Sequence, residues 1–411
     1  MRITRRQVGK LAAGAALLPS LASRTASAAP AEVKIALIAP FSGPWARQGQ
    51  LMRMGGEMAI DDINAAGGIK SLGGAKLKLV VGDTGDSAES AKNATQRLLS
   101  ENPDLVGGTG AWLSSFTLAV TEVTERAELP WTTVSFADSI VNRGFHYIFQ
   151  TSATSDAMAG KTIPNAMSVA RAAGRDPKTV GIVADNSASN VSFIKGLREK
   201  YLPDAHLTTT VDLTYTPPLA DGTSLVQRVR AAKPDFLMLM SSNLPDDKLM
   251  LETLAEMGLG RGRMPIVSNG AHFATPELLK AAGAEALEGV MVTVGNWGSK
   301  GQEELIARFS KRFNEPWMTQ DSISTYGDMH IFKTALEAAG VADRNKVAQA
   351  IRALDLTDGP ALFYPGHRIK FDETGRRVGA DMVIVQWQKG VPMTIYPKDL
   401  ATTTPFWGKQ G

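Results

Sequence analysis

The sequence has no cysteine in its 411 residues, which excludes disulfides, a cysteine nucleophile and thiolate metal ligands. Histidine is also scarce, with five in the whole chain: His146, His206, His272, His330 and His367. None of them belongs to an H-E-x-x-H motif or shows another spacing that would bring two ligands to one metal ion. We therefore expect no metal and no other cofactor.

Long apolar runs and a strong charge of one sign are missing as well. The longest apolar run near the start, 11–18, is shorter than the about 20 residues that a bilayer-spanning helix needs, so we expect no membrane insertion. The net charge of +3 arises near the N-terminus, because residues 1–28 hold five of the 44 basic groups and no acidic group. The remaining chain carries 39 basic against 41 acidic groups, which gives no support to nucleic-acid binding.

The first 28 residues have the features of an export signal: several basic residues, the apolar run LAAGAALL, and a small-x-small site that ends at Ala28. The segment TRRQVGK (4–10) resembles the twin-arginine motif, although Val8 and Gly9 stand where the full motif has an aromatic residue and a leucine. A general secretory signal with two arginines is the alternative. We expect a periplasmic protein that is cleaved near Ala28.

After the signal, short apolar runs alternate with amphipathic segments, which is typical of βαβ units and parallel sheets. The pattern predicts strands at 33–40, 76–83, 104–109 and 130–136, then a helix at about 155–173. A second series follows at 179–186, 207–215, 234–243 and 264–270, and the chain ends with a strand at 289–296, helices near 301–314 and 321–339, and a strand at 380–387. The predicted fold is α/β, with two doubly wound Rossmann-like lobes.

The segment GGTGAWLSSFT (107–117) follows a predicted strand and precedes a helical pattern. It lacks the third glycine of G-x-G-x-x-G, the G-K-[ST] of a phosphate loop and the G-x-S-x-G of a nucleophile elbow. What remains is a pair of serines at a helix start. Ser114 or Ser115 could be the helix N-cap, and the other free N–H groups of the first turn could still bind an anion.

Several segments, in order, resemble the periplasmic solute-binding proteins of the branched-chain amino-acid ABC-transporter type. They include PFSGPWARQGQ (40–50), AIDDINAAGGI (59–69), LVVGDTGDSAESAKNATQRLL (79–99) and ERAELPWTTVSFA (125–137). The resemblance implies a type I fold with three crossovers, near 150–152, 295–297 and 378–381. Lobe 1 would then be 29–150 plus 296–378, and lobe 2 would be 151–295 plus 379–411. It also implies a monomer that encloses a small-molecule ligand and delivers it to a permease in the inner membrane.

The same resemblance implies where the ligand binds. In lobe 1 it points to Ser114 and the amides that follow, including Ser115, and to Ser135 and Ala137 at the next strand end. In lobe 2, amino-acid binders of the family have an acidic residue where this chain has Ala271, followed by His272. A family tyrosine aligns with Ser189, and another aligns near Ser242. The match to the transporter family is therefore stronger than the evidence for an amino acid as the ligand. A buried ammonium group without a carboxylate partner is costly, and these positions lack such a partner.

Several aromatic residues at loop ends together suggest a pocket for an apolar or aromatic body: Trp45, Trp112, Phe136, Phe273 and Trp297. The alternative for each of them alone is packing in the core or between the lobes. Asn186 and Asn269 are polar candidates that could equally be turn residues. The expected ligand is a small carboxylate, an amide or an amino acid.

Two other functions stay open at this point. A sensory protein could bind the same ligand and signal to a membrane receptor, and the sequence does not separate it from a transporter component. An exported hydrolase is the more remote alternative, because Asp61 and Asp62 are adjacent on a predicted helix, while Asp83 and Asp86 lie at a strand end where capping carboxylates are common. We therefore expect no catalytic residue and no enzyme activity.

Overall fold

Strands and helices alternate along the chain in the computed structural model, which describes residues 31–408. The predicted export signal lies outside the described residues. The strands are β1 Glu32–Ala39, β2 Lys76–Asp83, β3 Leu105–Gly110, β4 Trp131–Thr133, β5 Ile148–Gln150, β6 Thr179–Asp185, β7 Thr208–Tyr215, β8 Phe236–Met240, β9 Ile266–Asn269, β10 Met291–Val294, β11 Asp355–Leu356, β12 Ile369–Lys370, β13 Val383–Gln388 and β14 Val391–Tyr396. The α-helices are α1 Ala46–Ala65, α2 Ala88–Glu101, α3 Ser114–Arg126, α4 Ser155–Ala172, α5 Ala188–Gly196, α6 Leu202–Asp204, α7 Thr223–Ala232, α8 Leu244–Glu256, α9 Pro276–Ala282, α10 Ala284–Leu287, α11 Glu303–Phe313, α12 Gln320–Ala339 and α13 Arg344–Arg352.

The first sheet has the strand order β2-β1-β3-β4-β5, and every neighbouring pair is parallel. Helices cover both faces, with α1, α12 and α13 on one and α2 and α3 on the other. Burial on both faces explains why β1 is an almost continuous apolar run, in which Ile35, Leu37 and Ile38 are fully buried. We call this sheet with its helices lobe 1.

The glycines of β3 allow two aromatic rings to approach the first sheet from opposite sides. A Cβ on Gly107 would lie 2.2 Å from the ring of Phe332, and a Cβ on Gly108 would lie 2.4 Å from the ring of Trp131. Real Cβ atoms do not come so close to a ring, so both positions need glycine. These two glycines therefore serve the packing of lobe 1.

The second sheet, of lobe 2, has the strand order β14-β13-β10-β9-β8-β6-β7. Strands β6 to β10 pair in parallel, whereas β13 is antiparallel to β10 and β14 is antiparallel to β13. Helices α4 and α5 pack on one face, and α7, α8 and α9 pack on the other. The sheet thus takes most of its strands from the middle of the chain and two from its end.

The chain passes between the two sheets three times: after β5, after β10 and before β13. The first and third passages lie side by side, because Gln150 pairs with Arg376 and the buried guanidinium of Arg377 donates to the carbonyl oxygen of Thr151 at 2.5 Å. The exact lobe bounds that the sequence suggests stay a prediction.

The α/β class and the two doubly wound lobes are confirmed, and each predicted strand is present with ends shifted by a few residues. The prediction missed β5, β11, β12, β14 and α13. Strand β5 has only three residues, too few for a periodic pattern. Strand β14 contains Pro392, which is tolerated there because β14 is an edge strand.

Candidate ligand-binding site

A cavity lies between the two lobes, beyond the carboxyl ends of several parallel strands. It holds about 410 Å³ of atom-free space, a volume that includes the part open to solvent. Lobe 1 contributes Trp112, Leu113, Ser114, Val134, Ser135, Phe136 and Gln320. Lobe 2 contributes Ser189, Asn190, Ser241, Ser242, Asn269, Gly270, Ala271 and His272.

The segment between β3 and α3 turns sharply into the cavity. Ala111 and Trp112 both have left-handed backbone conformations, with φ of 65° and 52°, which is unusual for residues with a side chain. Such a conformation costs of the order of 1–3 kcal/mol and persists where the surroundings enforce it. Here the Ala111 N–H donates to the carbonyl oxygen of Ile38 at 2.5 Å, and the Trp112 carbonyl oxygen accepts from the Ser135 hydroxyl at 2.7 Å.

Helix α3 begins at the cavity without a side-chain cap. Its N-cap residue is Leu113, so the hypothesis that Ser114 or Ser115 is the N-cap is wrong. Ser114 is the first helical residue, is 3% exposed, and its hydroxyl oxygen accepts from the Ala137 N–H at 3.2 Å. No side chain of the N-cap residue therefore bonds the first amides of α3, and the positive end of the helix dipole faces the cavity.

Two further helices begin at the same cavity in the same way. The N-cap residue of α5 is Ser187 and that of α12 is Thr319, and neither makes a side-chain cap hydrogen bond. The first turns of these helices place Ser189 and Asn190, and Gln320, in the cavity wall. Because each helix N-terminus carries roughly half a positive charge, three of them favour an anion in the cavity.

Three wall residues each contact a buried acid that lies behind the wall. Trp112 Nε1 donates to Asp321 Oδ1 at 2.8 Å. Asn190 Nδ2 donates to Asp185 Oδ1 at 2.8 Å. The pKa of Asp321 is raised to about 7 because burial disfavours its charged form, although the Trp112 hydrogen bond acts in the opposite direction. Burial also raises the pKa of Asp185.

The third of these pairs is His272 with Asp247, in which His272 Nε2 lies 3.5 Å from Asp247 Oδ2. Burial lowers the pKa of His272 to about 3, so its imidazole is neutral at pH 7, and burial raises the pKa of Asp247 well above its usual value. His272 is 2% exposed, and neither ring nitrogen has a hydrogen-bond partner. The ring edge also meets Trp112 across the cleft, with centroids 6.2 Å apart.

The cavity brings together most of the residues that the sequence predicted. Those in its wall are Trp112, Ser114, Ser135, Phe136, Ser189, Asn269, Ala271 and His272. Ser135 is already engaged, because its hydroxyl donates to Trp112 and its carbonyl oxygen accepts from Gln150 Nε2 at 2.7 Å. The amide of Asn269 donates to Asn190 Oδ1 at 2.9 Å, so Asn190 links Asn269 to the buried Asp185.

Six predicted residues do not line the cavity: Trp45, Ser115, Ala137, Asn186, Phe273 and Trp297. Ser115 follows Ser114 by about 100° around α3 and so leaves the cavity face. Ala137 is fully buried and contacts Ser114 through its N–H. Asn186 is exposed, and its side chain donates to Thr216.

Of the five predicted aromatic residues, only Trp112 and Phe136 reach the cavity. Phe273 and Trp297 belong to the hydrophobic core of lobe 2. Trp45 connects the lobes, because its indole Nε1 donates to the Ser242 carbonyl oxygen at 2.9 Å. A second connection is the ion pair of Arg47 Nε with Glu277 Oε1, at 2.9 Å.

Sequence reasoning missed other wall residues, among them Leu113, Val134, Asn190, Ser241 and Gln320. The start of α12 carries a usable signal for Gln320, because Thr319 directly precedes the helical pattern. Asn190 has no comparable signal, since an asparagine one turn into a helix is usually solvated.

Within residues 31–408 the structure has no group of three or more His, Asp or Glu residues placed to hold a metal ion. No helix in that range is long and apolar enough to span a bilayer. The His272–Asp247 pair lies next to the cavity, and Asp247 also accepts a hydrogen bond from the Ser241 hydroxyl.

Two α/β lobes around a central cavity are the architecture that solute-binding proteins have, and similarity to known sequences shows the family. A sequence model described as periplasmic binding protein matches residues 32–392, so the chain belongs to that family and is a substrate-binding protein of the ABC-transporter type. A Leu/Ile/Val-binding protein homolog 8 of Brucella melitensis is 29% identical, over 96% of this chain and 98% of the relative.

Solved structures agree with this assignment at the level of the fold. The substrate-binding protein LivJ of Streptococcus pneumoniae, solved with isoleucine, has a TM-score of 0.76 at 19% identity and covers 88% of this chain and 97% of its own. A solute-binding protein of Rhodopseudomonas palustris BisB5, solved with 3,4-dihydroxybenzoic acid, has a TM-score of 0.73 at 20% identity. The match covers 87% of this chain and 93% of that protein. The type I fold predicted from the sequence is thus confirmed.

Proposed function

We propose that this protein captures a small organic anion between its lobes in the periplasm and delivers it to an ABC permease in the inner membrane. The observation that carries this proposal is the N-terminus of α3, which opens on the cavity without a side-chain cap and beside the buried Ser114 hydroxyl. A carboxylate there would accept hydrogen bonds from the first amides of the helix and from Ser114.

The rest of the ligand would lie against the aromatic part of the wall. Trp112 and Phe136 face the cavity from lobe 1, together with the apolar side chains of Leu113 and Val134. This composition suits an apolar or aromatic body that carries one carboxylate or amide. The structural neighbours bind both kinds of ligand, since one was solved with isoleucine and another with 3,4-dihydroxybenzoic acid.

Delivery requires that the permease recognise the closed form. Closure of the lobes would bring Trp45 to Ser242 and Arg47 to Glu277. These two contacts would therefore be present in the closed form and absent from an open one. We further propose that the protein acts as a monomer without catalytic activity. Its first lobe would consist of 29–150 with 296–378, and its second lobe of 151–295 with 379–411. Export would follow the twin-arginine route, with cleavage near Ala28.

A thermal-shift screen tests this function. The purified protein is heated with amino acids, aromatic carboxylates, short-chain acids, amides and urea, each at the same concentration. A ligand present at 100 times its dissociation constant stabilises the folded state by roughly 2.7 kcal/mol. We expect stabilisation by at least one carboxylate, and recovery of that compound unchanged after binding. Stabilisation by amides or urea alone would refute the carboxylate site, and a chemically altered ligand would indicate an enzyme.

A further inference from the structure

The cavity wall contains no charged side chain. Among the described residues that line it there is no Asp, Glu, Lys or Arg, and its one titratable group is the imidazole of His272, which is neutral at pH 7. A fully charged ligand group must therefore be balanced by backbone dipoles and neutral hydrogen bonds alone.

The three helix dipoles at this wall all point their positive ends toward the cavity. Helices α3 and α12 from lobe 1 and α5 from lobe 2 all begin at the cavity, so each directs its positive end toward the ligand. This arrangement stabilises a carboxylate and repels an ammonium group. No helix C-terminus is represented among the described residues of the wall to offset it, since the other lining residues belong to loops, to the end of strand β9 at Asn269 and to the short 3₁₀ helix Ala271–Ala274.

The acids nearest to the cavity lie behind its wall, although each keeps one carboxyl oxygen without a hydrogen-bond partner. Asp185, Asp247 and Asp321 do not line it, and each contacts a wall residue instead: Asn190, His272 and Trp112 respectively. An ammonium group in the cavity would meet the amide, imidazole and indole of these residues before it reached a carboxyl group. Its loss of hydration would therefore remain uncompensated.

Lobe 2 does offer neutral hydrogen-bonding groups that lack a partner. Both ring nitrogens of His272 and the hydroxyl oxygen of Ser242 are buried and make no hydrogen bond of ordinary geometry, although Asp247 Oδ2 lies 3.5 Å from His272 Nε2 and Asp185 lies near the Ser242 hydroxyl. Both residues line the cavity. A neutral imidazole provides one N–H donor and one acceptor, and a serine hydroxyl can donate or accept. Buried polar groups of this kind usually have a partner, so these two indicate a ligand atom or a water.

We propose that the cavity selects a carboxylic acid that has no ammonium group and whose second polar group is a neutral hydroxyl or carbonyl oxygen, bonded by His272 and Ser242 of lobe 2. This inference rests on the proposed function, because it assumes that a carboxylate occupies the start of α3. It narrows the proposed ligand class from any small carboxylate to carboxylates without an amino group.

Matched ligands that differ in a single group test the inference. The pairs are leucine with 2-hydroxy-4-methylpentanoate, phenylalanine with 3-phenyllactate, and 4-(aminomethyl)benzoate with 4-(hydroxymethyl)benzoate, each titrated by calorimetry at pH 7. In every pair that binds, we expect the hydroxyl member to bind at least tenfold more tightly. Equal or tighter binding of the ammonium member would overturn the inference and leave the proposed function in place. Binding of amides but of no acid in any pair would overturn both.

A variant with an added negative charge in the wall tests whether the uncharged wall causes this preference. Ser189→Asp places a carboxylate in the first turn of α5, where an acid suits the helix dipole and should not prevent folding. The preference for the hydroxyl member should fall at least threefold. Ser192→Asp makes the same change on the same helix away from this cavity and should keep the preference. An unchanged preference in Ser189→Asp, with an unchanged melting profile, would contradict the electrostatic explanation.

Discussion

The indole N–H of Trp45 in lobe 1 donates to the carbonyl oxygen of Ser242 in lobe 2, with an N···O distance of 2.9 Å. The Trp45 ring is held from the other side by Phe116, edge to face, at a centroid distance of 5.5 Å. Ser242 lines the cavity, so this hydrogen bond joins the two lobes directly beside the candidate ligand. It can exist only when the lobes are closed.

Trp45→Phe should therefore weaken ligand binding without unfolding lobe 1. The phenyl ring keeps the contact with Phe116 but removes the hydrogen bond, which is worth about 1 kcal/mol, or roughly a fivefold increase in the dissociation constant. Calorimetry with a ligand from the thermal-shift screen measures this. Trp407→Phe, on the outer side of lobe 2 against Phe236, is the matched control and should leave affinity unchanged. An equal loss in both variants would show that closure does not depend on Trp45.

Ser114→Ala should weaken carboxylate binding by about 1–3 kcal/mol, because it removes a buried hydroxyl beside the amides of α3. Ser115→Ala is a close control, since the adjacent serine does not line the cavity. We expect Ser115→Ala to keep the wild-type dissociation constant. If both variants bind alike, Ser114 has only a structural role through its hydrogen bond with Ala137.

Asp321 should make stability fall as the pH rises. Its pKa is about 7 in the folded protein and near 4 when unfolded, so between these values the folded state binds more protons and loses stability with increasing pH. Asp321→Asn removes this dependence and keeps an oxygen acceptor for Trp112. The free energy of unfolding of the variant, relative to wild type, should rise by up to about 4 kcal/mol from pH 4 to pH 7 and then level off.

Urea unfolding at a series of pH values measures this difference. Asp355→Asn serves as a control of opposite sign, because the neighbouring Arg368 and Lys370 lower the pKa of Asp355 to about 2. That variant should lose stability relative to wild type as the pH rises from about 2 to 4. A flat difference curve for Asp321→Asn would contradict a neutral carboxyl behind Trp112.

The export prediction depends on Arg5 and Arg6. Replacing both with lysine conserves the charge but removes the paired guanidinium groups, so the precursor should accumulate uncleaved in the cytoplasm. Cell fractionation and the size of the protein on a gel detect this. Normal export of the double variant would favour the general secretory route.

Much of the fold follows from local patterns in the sequence. The buried strands β1 and β8 are apolar runs bounded by turn residues, and the order of strands and helices indicates two doubly wound lobes. Short or edge strands such as β5 and β14 carry too little periodicity, or a proline, and are therefore missed. The start of α3 was predicted wrongly, because Leu113, not a serine, is the N-cap residue.

The candidate site was only partly predictable. The family resemblance led to Ser114 and His272, and both lie just beyond the carboxyl ends of parallel strands, which meet at one edge of a sheet. Trp45 was assigned to the pocket, but it lies between the lobes, where a hydrogen bond to Ser242 holds its ring. Gln320 was missed because it reaches the cavity from a helix that follows the second passage of the chain between the lobes.

The sequence by itself indicated the succession of strands and helices along the chain, the apolar segments and the family, and it predicted the export signal, because each depends on neighbouring residues or on a motif of fixed spacing. Only the tertiary structure brought the starts of α3, α5 and α12 to one cavity and placed Asp185, Asp247 and Asp321 behind its wall. Burial, dipole direction and pKa arise from packing between distant parts of the chain, and a linear pattern does not contain them.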